Sequence, residues 1–139
     1  MKTIDLGGWR FFVADSSELN SEKAGKWMYF FKGEEGKKFA EERCREAVST
    51  GITSQAKRAD TTQDGVACFY ANSDDLQAHK KIIDYFIKHG MIRKTKNGKL
   101  YDISFKLDAQ TSSGEYRNDY AGTIKLSKLM DLYTAKWLV

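Results

Sequence analysis

Apolar and polar positions alternate along this chain with two different periods, and the places where the period changes mark its elements. From Ile4 to Ala14 the period is two, with Trp9, Phe11 and Val13 on one side, Arg10, Phe12 and Ala14 on the other, and Gly7-Gly8 interrupting the run. That pattern predicts a strand or bent hairpin. Asp15 to Gly25 is polar and reads as a loop. Lys26 to Phe31 is a short strand dense in aromatics: Trp27, Tyr29 and Phe31 share one face, Met28 and Phe30 the other. The charged, glycine-containing stretch 32–36 closes it. From Lys37 to Gly51 the period lengthens to 3.6, and Phe39, Ala40, Cys44, Ala47 and Val48 fall on one helical stripe. Thr53 to Ala59 reads as a strand, Asp60 to Gly65 as a turn, and Val66 to Ala71 as a buried strand. Ser73-Asp74-Asp75 supplies a capping oxygen and negative charge at a helix start, and Leu76, His79, Ile82, Ile83, Phe86 and Ile87 form that helix's apolar stripe, with Gly90 ending it. Asn97-Gly98 signals a turn, after which Tyr101, Ile103, Phe105 and Leu107 alternate with polar residues. Residues 120–139 predict one more strand or short helix and a closing hairpin ending Lys136-Trp137-Leu138-Val139.

Over residues 26–108 this is strand, helix, strand, strand, helix, strand. The order is that of the ferredoxin-like split βαβ arrangement, an α+β fold in which a four-stranded antiparallel sheet carries two helices on one face. The expectation is a single domain over 1–139, with a core at 26–108, an N-terminal strand at 3–14, and a C-terminal loop and hairpin at 109–139. The same order resembles the RNA recognition motif, whose third strand carries a basic residue, a glycine and stacking aromatics. Gly65-Val66-Ala67-Cys68-Phe69-Tyr70 keeps the glycine, but Asp64 stands where the basic residue belongs, and Val66 and Cys68 stand where two aromatics belong. The resemblance therefore carries the topology and not the binding residues.

Composition narrows the class. The chain has 139 residues, 41% apolar and 30% charged, a globular balance that excludes long disorder and fibrous repeats. It has no proline, where a usual frequency would give about seven, so glycine, asparagine and serine supply the turns. The longest apolar runs, 27–31 and 66–71, are far short of the roughly 18 residues that span a bilayer. Asp5 falls where a secretory signal needs its apolar region, so the expected location is the cytoplasm, with Cys44 and Cys68 reduced.

The net charge is +4, and its distribution matters more than its size. Residues 81–99 hold six Lys or Arg against one Asp, concentrated in a basic loop that contains Arg93, Lys94, Lys96 and Lys99. A duplex binder neutralises about 6 to 10 phosphates, which would consume nearly every cation of that segment. A small phosphate-bearing ligand needs only a few charge-assisted contacts. Asp108 to Asn118 follows directly on a strand and combines hydroxyls, a glycine and an arginine, the parts of an anion-binding nest. It lacks the Gly-Lys-Ser/Thr of a P-loop. No catalytic set is visible: there is no Gly-x-Ser-x-Gly or His-Glu-x-x-His, and the two cysteines and two histidines have no zinc-ligand spacing. The expectation is therefore a protein with no catalytic residues, no metal and no cofactor.

Small, proline-free α+β chains of this kind are common among phage-encoded proteins, and as a whole this one resembles the anti-defence sponges that sequester cyclic nucleotide signals. The resemblance implies a non-catalytic, homo-oligomeric binder in the host cytoplasm, with bases stacked on aromatics and phosphates held by cations. Trp27, Tyr29 and Tyr70 are the candidate stacking residues. Lys57, Arg58, Lys106, Thr111, Ser113 and Arg117 are the candidates for phosphate. Two other readings stand beside this one: a binder of single-stranded nucleic acid using the open sheet face and the basic loop, and an interaction module or inhibitor that takes an acidic protein partner.

Overall fold

Two glycines in the left-handed region turn the N-terminal alternation into a hairpin. Gly7 and Gly8 have φ of 60° and 84°, as a two-residue type I′ turn demands at both central positions. They join β1 (Lys2–Leu6) to β2 (Trp9–Val13). The rest of the chain adds β3 (Ala24–Phe31), α1 (Gly33–Ser49), β4 (Gln55–Ala59), β5 (Gly65–Asn72), α2 (Leu76–Lys88), β6 (Ser104–Leu107) and β7 (Ile124–Lys125). These come from a computed structural model, which describes residues 1–108 and 123–139. The protein is α+β; its described residues form two α-helices and one seven-stranded sheet in the order β1-β2-β4-β5-β3-β6-β7, every neighbouring pair antiparallel.

The sheet is larger than the four strands expected between residues 26 and 108. The N-terminal hairpin adds two strands beside β4, and β7 adds one beside β6. No helix of the described residues is long and apolar enough to cross a membrane.

Register decides which side chains meet the helices. Trp27 pairs with Phe69 and Tyr29 with Ala67, so these share a face. Trp27 then meets His79 of α2 at 5.9 Å and Tyr29 meets Phe39 of α1 at 5.8 Å, which places both helices on that face. Phe12, Trp27, Phe31, Phe69, Phe86 and Phe105 are buried there to within a few per cent. Each such side chain contributes about 1.5–3 kcal/mol by leaving water. Phe69 and Phe86 lock strand to helix edge to face at 5.1 Å.

One helix starts earlier than expected and the other starts where expected. α1 begins at Gly33, four residues before the expected start at Lys37. Two glycines suggest a loop, yet Glu34 and Glu35 sit in the first turn, where the macrodipole favours acids. Gly36 lets that turn fold back on Phe31: a Cβ there would stand 3.1 Å from the Phe31 Cβ. α2 starts as expected, with Asp75 accepting a hydrogen bond from the Ala78 N–H at 3.1 Å. The C-terminal segment closes the core with Leu126, Met130 and Leu132, and Trp137 donates its indole N–H to Asp84 of α2 at 3.2 Å. In place of a regular closing hairpin there is an isolated bridge between Met130 and Trp137.

Gly25 marks a close approach. A Cβ there would lie 2.5 Å from both the Lys106 carbonyl oxygen and the Phe105 ring. Gly25→Ala is expected to cost about 1–3 kcal/mol, the usual range for overpacking, read as a lowered denaturant midpoint with an unchanged m-value.

Candidate functional site

The face of the sheet turned away from the helices is built from the opposite residue parity. It carries Trp9 and Phe11 of β2, Lys57 of β4, Cys68 and Tyr70 of β5, Lys26, Met28 and Phe30 of β3, and Lys106 of β6. Its two halves differ in accessibility.

At the Lys57–Cys68 and Lys26–Tyr70 pairs of the sheet the cations are already engaged. The Lys57 ammonium lies 4.0 Å from the centre of the Trp9 ring, 5.6 Å from Phe11 and 5.8 Å from Tyr70, a cation held by three π-faces. Lys26 is buried and pairs with Asp108 at 2.7 Å. Tyr70 is 4% exposed; burial, with the Asp108 charge second, raises its phenol above the usual range. Burial also pushes the Cys68 thiol up to about 11 and raises Cys44 further, so neither is a nucleophile near neutral pH.

Around the far end of β3 the surface opens. Phe30 is 63% exposed and separates two grooves. One, of about 610 Å³, is lined by Met28, Phe30, Arg93, Tyr101, Ser104 and Lys106, with Tyr29 at its edge. The other, of about 450 Å³, is lined by Trp9, Phe30, Lys32, Ala59, Val66 and Arg93. Arg93 touches both, because Gly90 ends α2 in a left-handed turn with φ 66° and the chain brings Arg93 back against Tyr101, whose N–H donates to the Arg93 carbonyl at 2.8 Å. Burial raises the Tyr29 phenol, and the Arg93 charge partly opposes this. Asp102 also lines the larger groove, but its carboxylate already accepts from the Ser127 N–H at 2.8 Å and the Ser127 hydroxyl at 2.7 Å. The described lining thus holds two cationic side chains, Arg93 and Lys106, and one carboxylate, Asp102.

The nine candidate ligand residues and the basic loop divide as follows. Trp27 is fully buried among the helices and donates its indole N–H to His79 Nδ1 at 3.0 Å, so its ring offers no face to a ligand. Arg58 lies on the same side, its side chain 5% exposed, paired with Glu41 at 2.7 Å. Tyr70 and Lys57 are on the outer face but occupied as described. Tyr29 and Lys106 reach the larger groove, and of the basic loop only Arg93 does; Lys99 packs over Tyr133 at 5.7 Å. Thr111, Ser113 and Arg117 lie outside the described residues. Phe30 and Tyr101 complete the groove and were not among the candidates. The parity of β3 had separated Phe30 from Trp27, and that was the available signal.

Neither histidine is among the described residues that line this groove. His79 is fixed between Trp27 and the Ser73 carbonyl oxygen, and His89 stands at the end of α2 beside Arg43 at 2.7 Å. Among the described residues no three His, Cys, Asp or Glu side chains converge to hold a metal. No protein-family model matches the chain, and no curated protein sequence is significantly similar to it.

Proposed function

We propose that the protein is a non-catalytic binder of a small phosphate-bearing, nucleotide-like ligand, held in the groove beside Phe30. The observation that carries this is the pairing of an exposed aromatic ring with Arg93, which lines the groove on each side of it. The larger groove, about 610 Å³, falls within the roughly 300–1,000 Å³ of small-molecule sites. Phe30 and Tyr101 would take the base, and Arg93 and Lys106 the phosphates, by charge-assisted hydrogen bonds. Sequestration of a signalling nucleotide, as in the anti-defence sponges the chain resembles, is the activity such a site would serve. The central strand order β4-β5-β3-β6 supports a ferredoxin-like reading of the core, extended at both edges.

A thermal-shift panel of cyclic dinucleotides, cyclic trinucleotides and ADP-ribose derivatives tests the proposal. A true ligand raises stability as RT ln(1 + [L]/Kd), and no shift with any of them at high micromolar concentration would sink it. For a ligand that binds, Phe30→Ala and Arg93→Ala are each expected to weaken affinity about 5- to 150-fold, the equivalent of a stacked base or charge-assisted contact. Lys94→Ala, off the groove, should change it little. Salt distinguishes the strand-binding alternative: single-stranded nucleic acid loses affinity with a log–log slope of about −0.7 per phosphate contacted, whereas a nucleotide held by two cations shows a shallow slope.

A further inference from the structure

The N-terminal hairpin ends the sheet in an open strand, and its backbone parity specifies what fits there. The Ala14 N–H donates to the Ser54 carbonyl oxygen at 2.9 Å, and the Asp60 N–H to the Gly8 carbonyl oxygen at 2.8 Å. The even-numbered residues of β2 therefore spend their backbone groups on β4, and Trp9, Phe11 and Val13 spend theirs on β1. Their partners are Leu6, Ile4 and Lys2. In an antiparallel ladder the alternate residues point the other way, so Thr3 and Asp5 direct their N–H and C=O groups to the outer edge. All five residues of β1 are exposed, Ile4 at 43% and Leu6 at 68%.

We infer that β1 pairs with β1 of a second copy of this chain about a two-fold axis through Ile4, joining two sheets into one. The sequence of the strand is self-complementary in that register and in no other of full overlap. Antiparallel pairing about a two-fold axis normal to the sheet keeps the helices of both copies on the same side, and the outward groups of Thr3 meet those of Asp5 of the second copy. That makes two hydrogen-bonded pairs and four backbone bonds. Ile4 faces its own copy across a non-hydrogen-bonded position, where side chains come closest. Lys2 lies opposite Leu6, its stem along the apolar side chain. Asp5 lies opposite Thr3, its charge already met by Arg10 of its own chain at 2.8 Å. A shift of two residues one way sets Asp5 against Asp5, a like-charge clash; the other way leaves Leu6 without a partner. Exposed edge strands are ordinarily blunted by charge or proline; this one has no proline, and neither of its charges opposes a like charge in the paired register.

The contact is small. A five-residue edge lies at the low end of specific interfaces, below about 1,200 Å², so the dimer is weak and concentration-dependent. Sedimentation velocity from about 10 μM to about 1 mM, where association free energies of roughly −7 to −4 kcal/mol are read, should show wild-type protein moving from monomer toward dimer. Ile4→Lys and Ile4→Glu each place like charges on the axis and should each stay monomeric across that range. Mixed in equal amounts they should form a heterodimer, because the axis then joins Lys to Glu. A wild-type protein that remains monomeric at the upper concentration overturns the inference, as do a dimeric Ile4→Lys variant and a mixture that stays monomeric. Ile4 is four strands away from Phe30 in the sheet and lines neither groove, so both Ile4 variants should keep any nucleotide-dependent thermal shift of the wild type.

Discussion

Replacing Glu41 with alanine is expected to lower the thermal midpoint by roughly 10 °C, from a loss of about 3 kcal/mol. Three guanidiniums converge on this one carboxylate of α1: Arg58 of β4 at 2.7 Å, Arg45 one turn along the helix at 2.9 Å, and Arg10 of β2 at 3.3 Å. Burial opposes ionisation of Glu41, but hydrogen bonds from Arg45 and Arg58 and the charges of Arg58 and Arg10 outweigh it and hold the carboxyl below its usual 4.5. Arg58 cannot move to water, since its side chain is 5% exposed. Without Glu41 its remaining partners among the described residues are the Ala59 carbonyl oxygen at 3.3 Å and Asp60 at 3.5 Å. An uncompensated buried charge is what makes breaking such pairs costly, by about 3–5 kcal/mol, and the partial exposure of Glu41 selects the lower end. The contribution is present above pH 4.5, the ordinary value of the group, and is lost as the pH falls through the depressed folded value. The double variant Glu41→Leu/Arg58→Leu should recover most of the loss, because removing both charges removes the desolvation cost as well. A Glu41→Ala midpoint within roughly 2 °C of wild type would mean that Asp60 alone satisfies Arg58.

This network explains why charge counting located the cations but not their roles. Lys57 and Arg58 are adjacent in sequence, so in a strand they point to opposite faces. One is held over Trp9 and the other over Glu41, a helix residue 17 positions earlier. A segment sum records both as positive and cannot record that each is already engaged. Element types were legible because each has its own period and stop: Gly90 ends α2, Asp75 caps it, and Gly7-Gly8 turn the hairpin. The orientation of β3 was not, because both of its faces carry large apolar residues. The choice is made by neighbours far along the chain, Phe69 beside Trp27 and the helical Phe39 beside Tyr29. That choice leaves Phe30 outside, and with it the groove. The C-terminal anchors Leu126, Met130 and Leu132 join the core through long-range bonds that local pattern does not encode, the Leu126 N–H donating to the Ile103 carbonyl oxygen and the Leu100 N–H to the Leu132 carbonyl oxygen.

Trp27 provides the sharpest separation between core and site. Trp27→Ala is expected to cost about 3–5 kcal/mol, as for other fully buried aromatics, and Trp27→Phe a smaller amount, dominated by the loss of one buried hydrogen bond. The indole N–H donates to His79 Nδ1, which makes that nitrogen an acceptor and puts the proton on Nε2, where it is donated to the Ser73 carbonyl oxygen at 2.9 Å. Protonating Nδ1 would set two N–H groups against each other in a buried position. Burial lowers the imidazole from its usual 6.5, against smaller opposing effects from Ser73, Asp75 and Asp74. A histidine depressed in the folded state makes the unfolded chain the better proton acceptor. Its stabilising contribution is therefore complete above about pH 6.5 and is lost as the pH falls through the folded value. The thermal midpoint should fall between pH 7 and pH 5, and His79→Leu should flatten that part of the profile. Trp27→Phe should lower the midpoint at neutral pH while leaving the affinity of a groove ligand within about twofold, since a residue that is not in the site contributes to binding only through the folded fraction. Loss of affinity in Trp27→Phe without loss of stability would instead mean that the ring leaves the core to meet a ligand, and that β3 binds with the face turned toward the helices.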